Sequence, residues 1–238
     1  MKVRHFLTLM AVFLFSLFLC KAQSPILYAL KSDIPVTDQI EASHQYLFPG
    51  FTRGTALFNK ERVASAAFNY NFLLDEIQYM NAQNKKMAIA NADELVSVAI
   101  GAHVFRYLHH GYFEELEPGK ISLLKKRQAT LQTEGKSVGY GMTSSTSAVN
   151  SLDYTNSSDG RPFKLSIAGE YRLTIDSSCW ISNGRRLLRA GNLKSYIRLL
   201  PKQEKDIMNF VSSHSLDLRK EEDIKLLVSH CNELVPKK

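Results

Sequence analysis

The sequence predicts an α+β fold: an antiparallel β-meander, as a curved sheet or partly closed barrel, followed by a C-terminal segment of two to three helices. Two features predict it. Apolar residues alternate with a period of two through most stretches from Gly54 to about Gly191, and beyond Gly191 the period lengthens to 3.6. With 238 residues, 45% hydrophobic and 22% charged, the chain can bury a core and is neither disordered nor collagen-like. Three Cys are too few for a disulfide-dense miniprotein.

Residues 1–22 read as a signal peptide. A basic start, Met1-Lys2-Val3-Arg4-His5, precedes the charge-free run Phe6 to Cys20 and then Lys21-Ala22, after which cleavage is expected. As a helix that run would cover roughly 22 Å, short of the ~30 Å hydrocarbon layer. An uncleaved anchor and lipidation at Cys20 are the alternatives. Processing leaves 27 basic against 23 acidic residues, a balance of +4, which gives no support to nucleic-acid binding. The local basic groups, Lys125-Lys126-Arg127 and Arg185-Arg186 with Arg189, read as solvated strand or turn positions, with an anionic surface as the alternative. Cys179 and Cys231 remain; two separately buried thiols are expected, with one bridge between them as the alternative.

Residues 23–142 form the meander region. Pro25, Pro35 and Pro49 make the start an extended lead-in and a candidate edge strand. Ala64, Ala66, Phe68, Tyr70 and Phe72 then alternate as a half-buried strand does. Strands follow at Glu76 to Met80, Met87 to Ala90, Val96 to Ile100, His103 to Leu108, Tyr112 to Leu116 and Ile121 to Leu131, with Gly111 and Pro118-Gly119 as turns. Their close spacing favours antiparallel pairing, because a parallel crossover needs a dozen or more residues. Residues 143–160 hold nine Ser or Thr in eighteen positions and read as a flexible loop. Residues 161–191 add strands Phe163 to Ile167 and Glu170 to Ile175, then a hairpin of Cys179 to Ser182 with Arg185 to Arg189 around a type I′ turn at Asn183-Gly184. Residues 192–238 form the helical tail. Its stripes are Leu193, Tyr196, Ile197 and Leu200; Ile207, Phe210, Val211 and His214; and Ile224, Leu227, Val228, Cys231 and Leu234. Three apolar stripes must be buried, and the sheet is the nearest surface.

No motif has the specificity of a P-loop or nucleophile elbow. His103, His109, His110, Glu114 and Glu115 are the one dense group of ligand-type residues. Neighbours on a strand face opposite ways, however, and Gly111 marks His109-His110 as turn residues. Asp75-Glu76 and Glu114-Glu115 would have to be assembled across strands to act as acid and base. Ser144-Ser145 reads as too flexible for a nucleophile, and Gly139-Tyr140-Gly141 as a hinge. The aromatics Tyr46, Phe48, Tyr70, Tyr79, Phe105, Tyr107, Tyr112 and Phe113 read as core, or as the lining of an apolar pocket if the sheet curls.

Three stretches carry a resemblance: Phe68-Asn69-Tyr70-Asn71-Phe72-Leu73-Leu74-Asp75-Glu76-Ile77-Gln78-Tyr79, then Tyr140-Gly141 leading into Ser/Thr repeats, and Tyr196 to Leu234. Together they resemble an uncharacterised family of exported proteins of Bacteroidota-type Gram-negative bacteria. The chain departs from that family's pattern at Ile197-Arg198-Leu199-Leu200 and His230-Cys231, where aromatic residues are usual. The resemblance implies a periplasmic or outer-membrane-associated location and no particular activity. The leading expectation is therefore a non-catalytic binding or scaffold protein of the envelope. It has an envelope protein or a lipid or apolar ligand as partner, no nucleic acid and no transmembrane span in the mature chain. No catalytic, cofactor-binding or metal-binding residue is assigned. Carriage of a lipid or apolar ligand in a curved sheet is the alternative, followed by an enzyme with a noncanonical site at His109, His110 or Glu114.

Overall fold

The computed structural model describes residues 25–133, 137–138, 142–143 and 168–235. The expected signal peptide, the Ser/Thr-rich loop from 144 to 160, the strand Phe163 to Ile167 and Gly139-Tyr140-Gly141 lie outside the described residues. The remainder is an open antiparallel sheet with a C-terminal helical segment, the α+β arrangement that the periodicities predict. Its elements are β1 (Ile26–Leu30), α1 (Val36–Gln39), β2 (Thr52–Phe58), β3 (Val63–Asn71), β4 (Glu76–Met80), β5 (Lys86–Ala88) and β6 (Leu95–Ile100). These are followed by β7 (His103–Leu108), β8 (Gly111–Glu117), β9 (Ser122–Thr133), β10 (Ser137–Val138), β11 (Met142–Thr143), β12 (Gly169–Ser182) and β13 (Leu187–Arg189). The tail is α2 (Leu193–Leu199), α3 (Glu204–Ser213) and α4 (Glu221–Leu234).

The main sheet runs β1-β12-β9-β8-β7-β6-β2-β3-β4-β5, with β13 paired to the end of β12. Two meanders, β2 to β5 and β6 to β9, are thus joined where β2 pairs β6, and the lead-in strand β1 pairs β12. The sheet curls without closing. β8 and β9 pair only from Glu114↔Lys125 to Glu117↔Leu123, and the end of β3 enters the opening beyond. There the Ala129 N–H donates to the Phe72 carbonyl at 3.1 Å and the Tyr70 hydroxyl reaches the Arg127 carbonyl at 3.0 Å. Asp75 locks the junction by accepting from the Tyr70 hydroxyl at 2.8 Å, the Tyr112 N–H at 3.3 Å and the Lys126 ammonium at 2.6 Å. Gly111 lies directly beside this ion pair, and a Cβ there would displace the Lys126 ammonium and the Asp75 carboxylate, both ends of side chains that can shift.

The strand that carries the Asn-Tyr-Asn sequence buries both of its faces. Phe68, Tyr70 and Phe72 enter the core as the alternation predicts, yet Asn69 and Asn71 are buried as well. The lead-in folds over them: Asn69 Oδ1 accepts from the Phe48 N–H and its Nδ2 donates to the Phe48 and Gly50 carbonyls, while Asn71 Oδ1 caps the N–H groups of Leu73 and Leu74. These side-chain amides satisfy backbone groups that a packed loop would otherwise bury unpaired.

Four local expectations are corrected. Glu170 to Ile175 and Cys179 to Ser182 are one strand, β12, paired to β9 from Tyr171↔Thr133 through Ser182↔Ser122. The polar stretch Asp176-Ser177-Ser178 resembles a break in sequence, but lies opposite the equally polar Gln128, Arg127 and Lys126. Asn183-Gly184 is not a type I′ turn. Ser182 pairs Leu187 across a four-residue loop, only Gly184 has a positive φ (82°), and Asn183 Oδ1 accepts from the Arg185 and Arg186 N–H groups. In β6, Leu95 rather than Val96 is buried, because a register shift at Leu57/Phe58 moves the alternation by one residue. In α2, Leu199 is buried and Ile197 only half-buried.

The type I′ geometry sits instead at His109 and His110, the two residues between paired Leu108 and Gly111, with φ of 47° and 62°. A left-handed L-residue costs about 1–2 kcal/mol relative to Gly, with Asn better tolerated. The double substitution His109→Asn, His110→Gly is expected to raise stability by about 1 kcal/mol, read as a higher urea midpoint. A lower midpoint would show that the imidazoles make compensating contacts.

The tail covers the lower part of the sheet. Ile121, Leu123 and Ile181 form one core with Tyr196, Leu199, Ile207, Ile224, Leu227, Val228 and Cys231, and the curled upper part forms the other. Asn192 caps α2 by accepting from the Lys194 N–H, and Pro201 begins the 3₁₀ turn that leads into α3. Asn232 of α4 pairs with the β8–β9 turn as a strand would, accepting from the Ile121 N–H at 2.8 Å and donating to its carbonyl at 2.9 Å. Both thiols are free and share the tail core, where burial raises the Cys179 thiol and pushes Cys231 up to about 12. None of the described helices is long and apolar enough to cross a membrane.

An ion pair also ties α4 to the sheet: Lys125 Nζ donates to Glu221 Oε2 at 2.7 Å, and Lys225 holds the other oxygen. The hydrogen bond from Lys125 is the largest cause holding the Glu221 carboxyl below its ordinary range. Its folded pKa lies below its unfolded one, so its stabilisation is present above the ordinary carboxylate range and is lost as pH falls through the lowered value. Glu221 is only partly buried, and Glu221→Gln should cost about 1 kcal/mol at pH 7. The difference from the unsubstituted protein should vanish at low pH in parallel unfolding curves. A gap independent of pH would mean the carboxylate charge is not what matters.

Candidate functional site

Cross-strand register sorts the chemistry-bearing residues onto two faces. Phe105, Glu114, Lys125 and Cys179 are successive partners across β7, β8, β9 and β12, and so share the inner face. Glu114 and Lys125 form a polar layer between the two cores. His103 Nδ1 donates to Glu114 Oε1 at 2.6 Å and its ring meets Phe48 edge-on at 5.1 Å. Glu114 Oε2 and Arg127 Nε are buried there without a hydrogen-bond partner among the described residues.

Of the ligand-type residues that the sequence groups together, the fold brings only His103 and Glu114 into contact. His109 and His110 stand exposed in their turn, and Glu115 faces the opposite side. Among the described residues, no group of three or more His, Cys, Asp or Glu is placed to hold a metal ion. Asp75 and Glu76 also diverge. Asp75 serves the β3–β8–β9 junction, whereas Glu76 accepts from Gln78, which in turn accepts from Tyr46, and burial raises the Glu76 carboxyl. The aromatic group likewise divides: Tyr70, Phe105 and Tyr112 fill the inner core, while Phe113 packs outward against Trp180 at 5.7 Å.

The outer face carries the row Val104, Glu115, Leu124, Trp180 and Arg189, again set by register. Arg189 lies 4.4 Å over the Trp180 ring, and Lys126 4.9 Å over Phe113. Below this stack lies a cleft of about 360 Å³ between the β8–β9 turn and the β12–β13 loop, with Leu108 and Leu124 lining it. Arg106 and Glu115 form its polar wall. The guanidinium grips the carboxylate through Nε at 2.9 Å and Nη2 at 3.0 Å, and the Glu115 side chain is only 7% exposed. A bidentate pair on two rigid strands holds the remaining guanidinium N–H groups in one orientation. Lys120, Ser122, Ser182 and Asn183 complete the polar lining.

Arg106 escapes attention in the sequence, although a signal is there. Once the His109-His110 turn is located, Arg106 and Glu115 fall on diagonal positions of one hairpin face, where opposite charges meet. The basic triplet Lys125-Lys126-Arg127 forms no patch, since alternation sends Lys126 outward to Asp75 and Phe113 while Lys125 turns inward to Glu221. Arg186 likewise turns to the Arg198 carbonyl. Comparison with protein-family models, curated proteins and solved structures finds no match to this chain.

Proposed function

We propose that this chain is an exported, non-catalytic binding protein of the cell envelope, and that the outer-face cleft beside Arg106 and Glu115 is its recognition surface. The observation that carries the reading is the bidentate grip of a 7%-exposed Glu115 carboxylate on Arg106 at the wall of a 360 Å³ cleft. A fixed array of donors on paired strands is what a binding site needs, because little conformational freedom is lost when the ligand arrives. Export rests on the signal-peptide reading of residues 1–22, and the envelope on the resemblance to exported Bacteroidota-type proteins. A surface site fits the packing: the inner face, where an apolar ligand would otherwise sit, is filled by Tyr70, Phe105, Leu131 and the tail side chains.

The test is co-sedimentation of the purified protein with envelope fragments of the producing cell. The unsubstituted protein should pellet with the fragments, and Leu108→Trp, which fills the cleft with an indole, should leave it in the supernatant. Equal pelleting of the two, or no pelleting of either, would remove the reading.

A further inference from the structure

The lining chemistry narrows the ligand, on the premise that the cleft is the recognition surface. We propose that the cleft takes an uncharged sugar of one or two rings. Size sets the first limit: about 360 Å³ is at the lower end of the ~300–1,000 Å³ of small-molecule sites, which suits a ligand of one or two rings.

Charge sets the second. Arg106 and Glu115 satisfy each other through hydrogen bonds of 2.9 and 3.0 Å, so the pair presents no net charge for a ligand to answer. Lys120 of the β8–β9 turn has a partner of its own. An ionised ring would therefore shed its water against a lining whose charges are already met, a loss that an uncharged ring does not bear.

What the compensated lining still offers is hydrogen bonding. The Arg106 guanidinium keeps its Nη1 hydrogens and one on Nη2 to give, because only Nε and the other Nη2 hydrogen are committed to Glu115. Asn183 Oδ1 is occupied by the Arg185 and Arg186 N–H groups, which leaves its Nδ2 as a donor. Ser182 Oγ accepts from the Gly184 N–H and keeps its own proton to give, while Ser122 Oγ donates to the Gly119 carbonyl and keeps lone pairs to receive. Each group is held by its strand or turn partner before a ligand arrives, so binding immobilises little.

The same cleft has an apolar part. Half-buried Leu108 and exposed Pro118 line it beside those polar groups. A sugar ring has C–H groups on its face and hydroxyls around its edge, each hydroxyl both giving and accepting, so it meets both parts of the lining at once. An apolar ligand would cover the polar groups without replacing their water.

Calorimetric titration of the purified protein tests this with D-glucose, D-galactose, D-mannose, N-acetyl-D-glucosamine, cellobiose and lactose. D-glucuronate, D-glucosamine and a capped neutral dipeptide are the contrasts. At least one uncharged sugar is expected to bind ten-fold or more tighter than every contrast. Leu108→Trp, which fills the cleft, and Asn183→Asp, which keeps both turn hydrogen bonds but removes the Nδ2 donor, should each weaken it at least ten-fold. Arg189→Gln, outside the cleft, should leave binding unchanged. Because Asn183→Asp preserves the loop, the test stands even if Leu108→Trp fails to fold. Either charged sugar binding as tightly as the best uncharged one would overturn the requirement for neutrality, and the dipeptide doing so the requirement for hydroxyls. No binding of any uncharged sugar, or binding that Asn183→Asp leaves intact, would overturn the assignment altogether. Should the sugars fail while Leu108→Trp still abolishes co-sedimentation, the ligand class alone falls. Loss of the co-sedimentation difference would take the binding surface with it.

Discussion

Gly54→Ala is expected to destabilise the protein by about 3 kcal/mol, although it adds one methyl group to a strand. Gly54 sits in β2 where both edges are used, paired to Ala66 of β3 and to Ile100 of β6. A Cβ at this position would overlap the Ala99 carbonyl oxygen and meet the Phe68 ring at 3.0 Å. The ring can shift by tenths of an ångström, but the carbonyl belongs to the neighbouring strand and moves only with it. Overpacking that a side chain cannot relieve costs ~1–3 kcal/mol, and backbone displacement puts this position at the upper end. Urea unfolding at neutral pH is the measurement, and a loss below about 1 kcal/mol would mean that the two meanders are not pressed together at β2. Gly101→Ala offers a contrast. No atom lies within 4 Å of its Cβ, so its cost should come only from a φ of +58° and stay near 1 kcal/mol.

Ending the chain after Gly191 is expected to abolish cooperative folding. The tail contributes Tyr196, Ile207, Ile224, Leu227, Val228 and Cys231, all buried, and their removal exposes Ile121, Leu123 and Ile181 on the sheet. At about 1.5–3 kcal/mol for each large apolar side chain, the six account for roughly 10 kcal/mol. A domain's whole stability is ~5–15 kcal/mol, so the deletion is of the same size as the total. The shortened chain should be digested by protease under conditions that spare the full one, and should bind a dye that reports exposed apolar surface. Equal protease resistance of the two would mean that the sheet stabilises itself and the tail is an addition. A narrower probe is Asn232→Ala, which removes both hydrogen bonds to Ile121 while leaving the apolar stripe of α4 in place. It should cost about 1–2 kcal/mol without loss of cooperativity.

The strands were legible because alternation reports a local property, one wet face and one dry face. The strand at Glu76 to Met80 and the β7–β8 hairpin are found where period and turn residues place them. Legibility failed wherever a second surface covered the wet face. Asn69 and Asn71 read as solvent-facing, and the lead-in buries them through Phe48 and Gly50. It failed again where a polar stretch was matched by its partner, as Asp176 to Ser178 are by Gln128 to Lys126. In the candidate site, Glu114 and Glu115 could be seen to face opposite ways. Their partners could not be seen, because His103 and Arg106 approach across a hairpin whose register depends on the His109-His110 turn.

The sequence by itself determined which segments pleat and which coil, since each follows from spacing along the chain and from the turn residues between. It also determined that the helical tail must find apolar cover, because its three stripes cannot face water without losing the free energy of burial. Only the tertiary structure decided that β2 joins the two meanders, that Tyr70 and Asp75 lock β3 into the opening between β8 and β9, and that Arg106 lines a cleft. Those outcomes depend on contacts between residues far apart in the chain, as with Tyr70 and Arg127. They are selected by the packing and hydrogen bonding of whole surfaces, which no local pattern encodes.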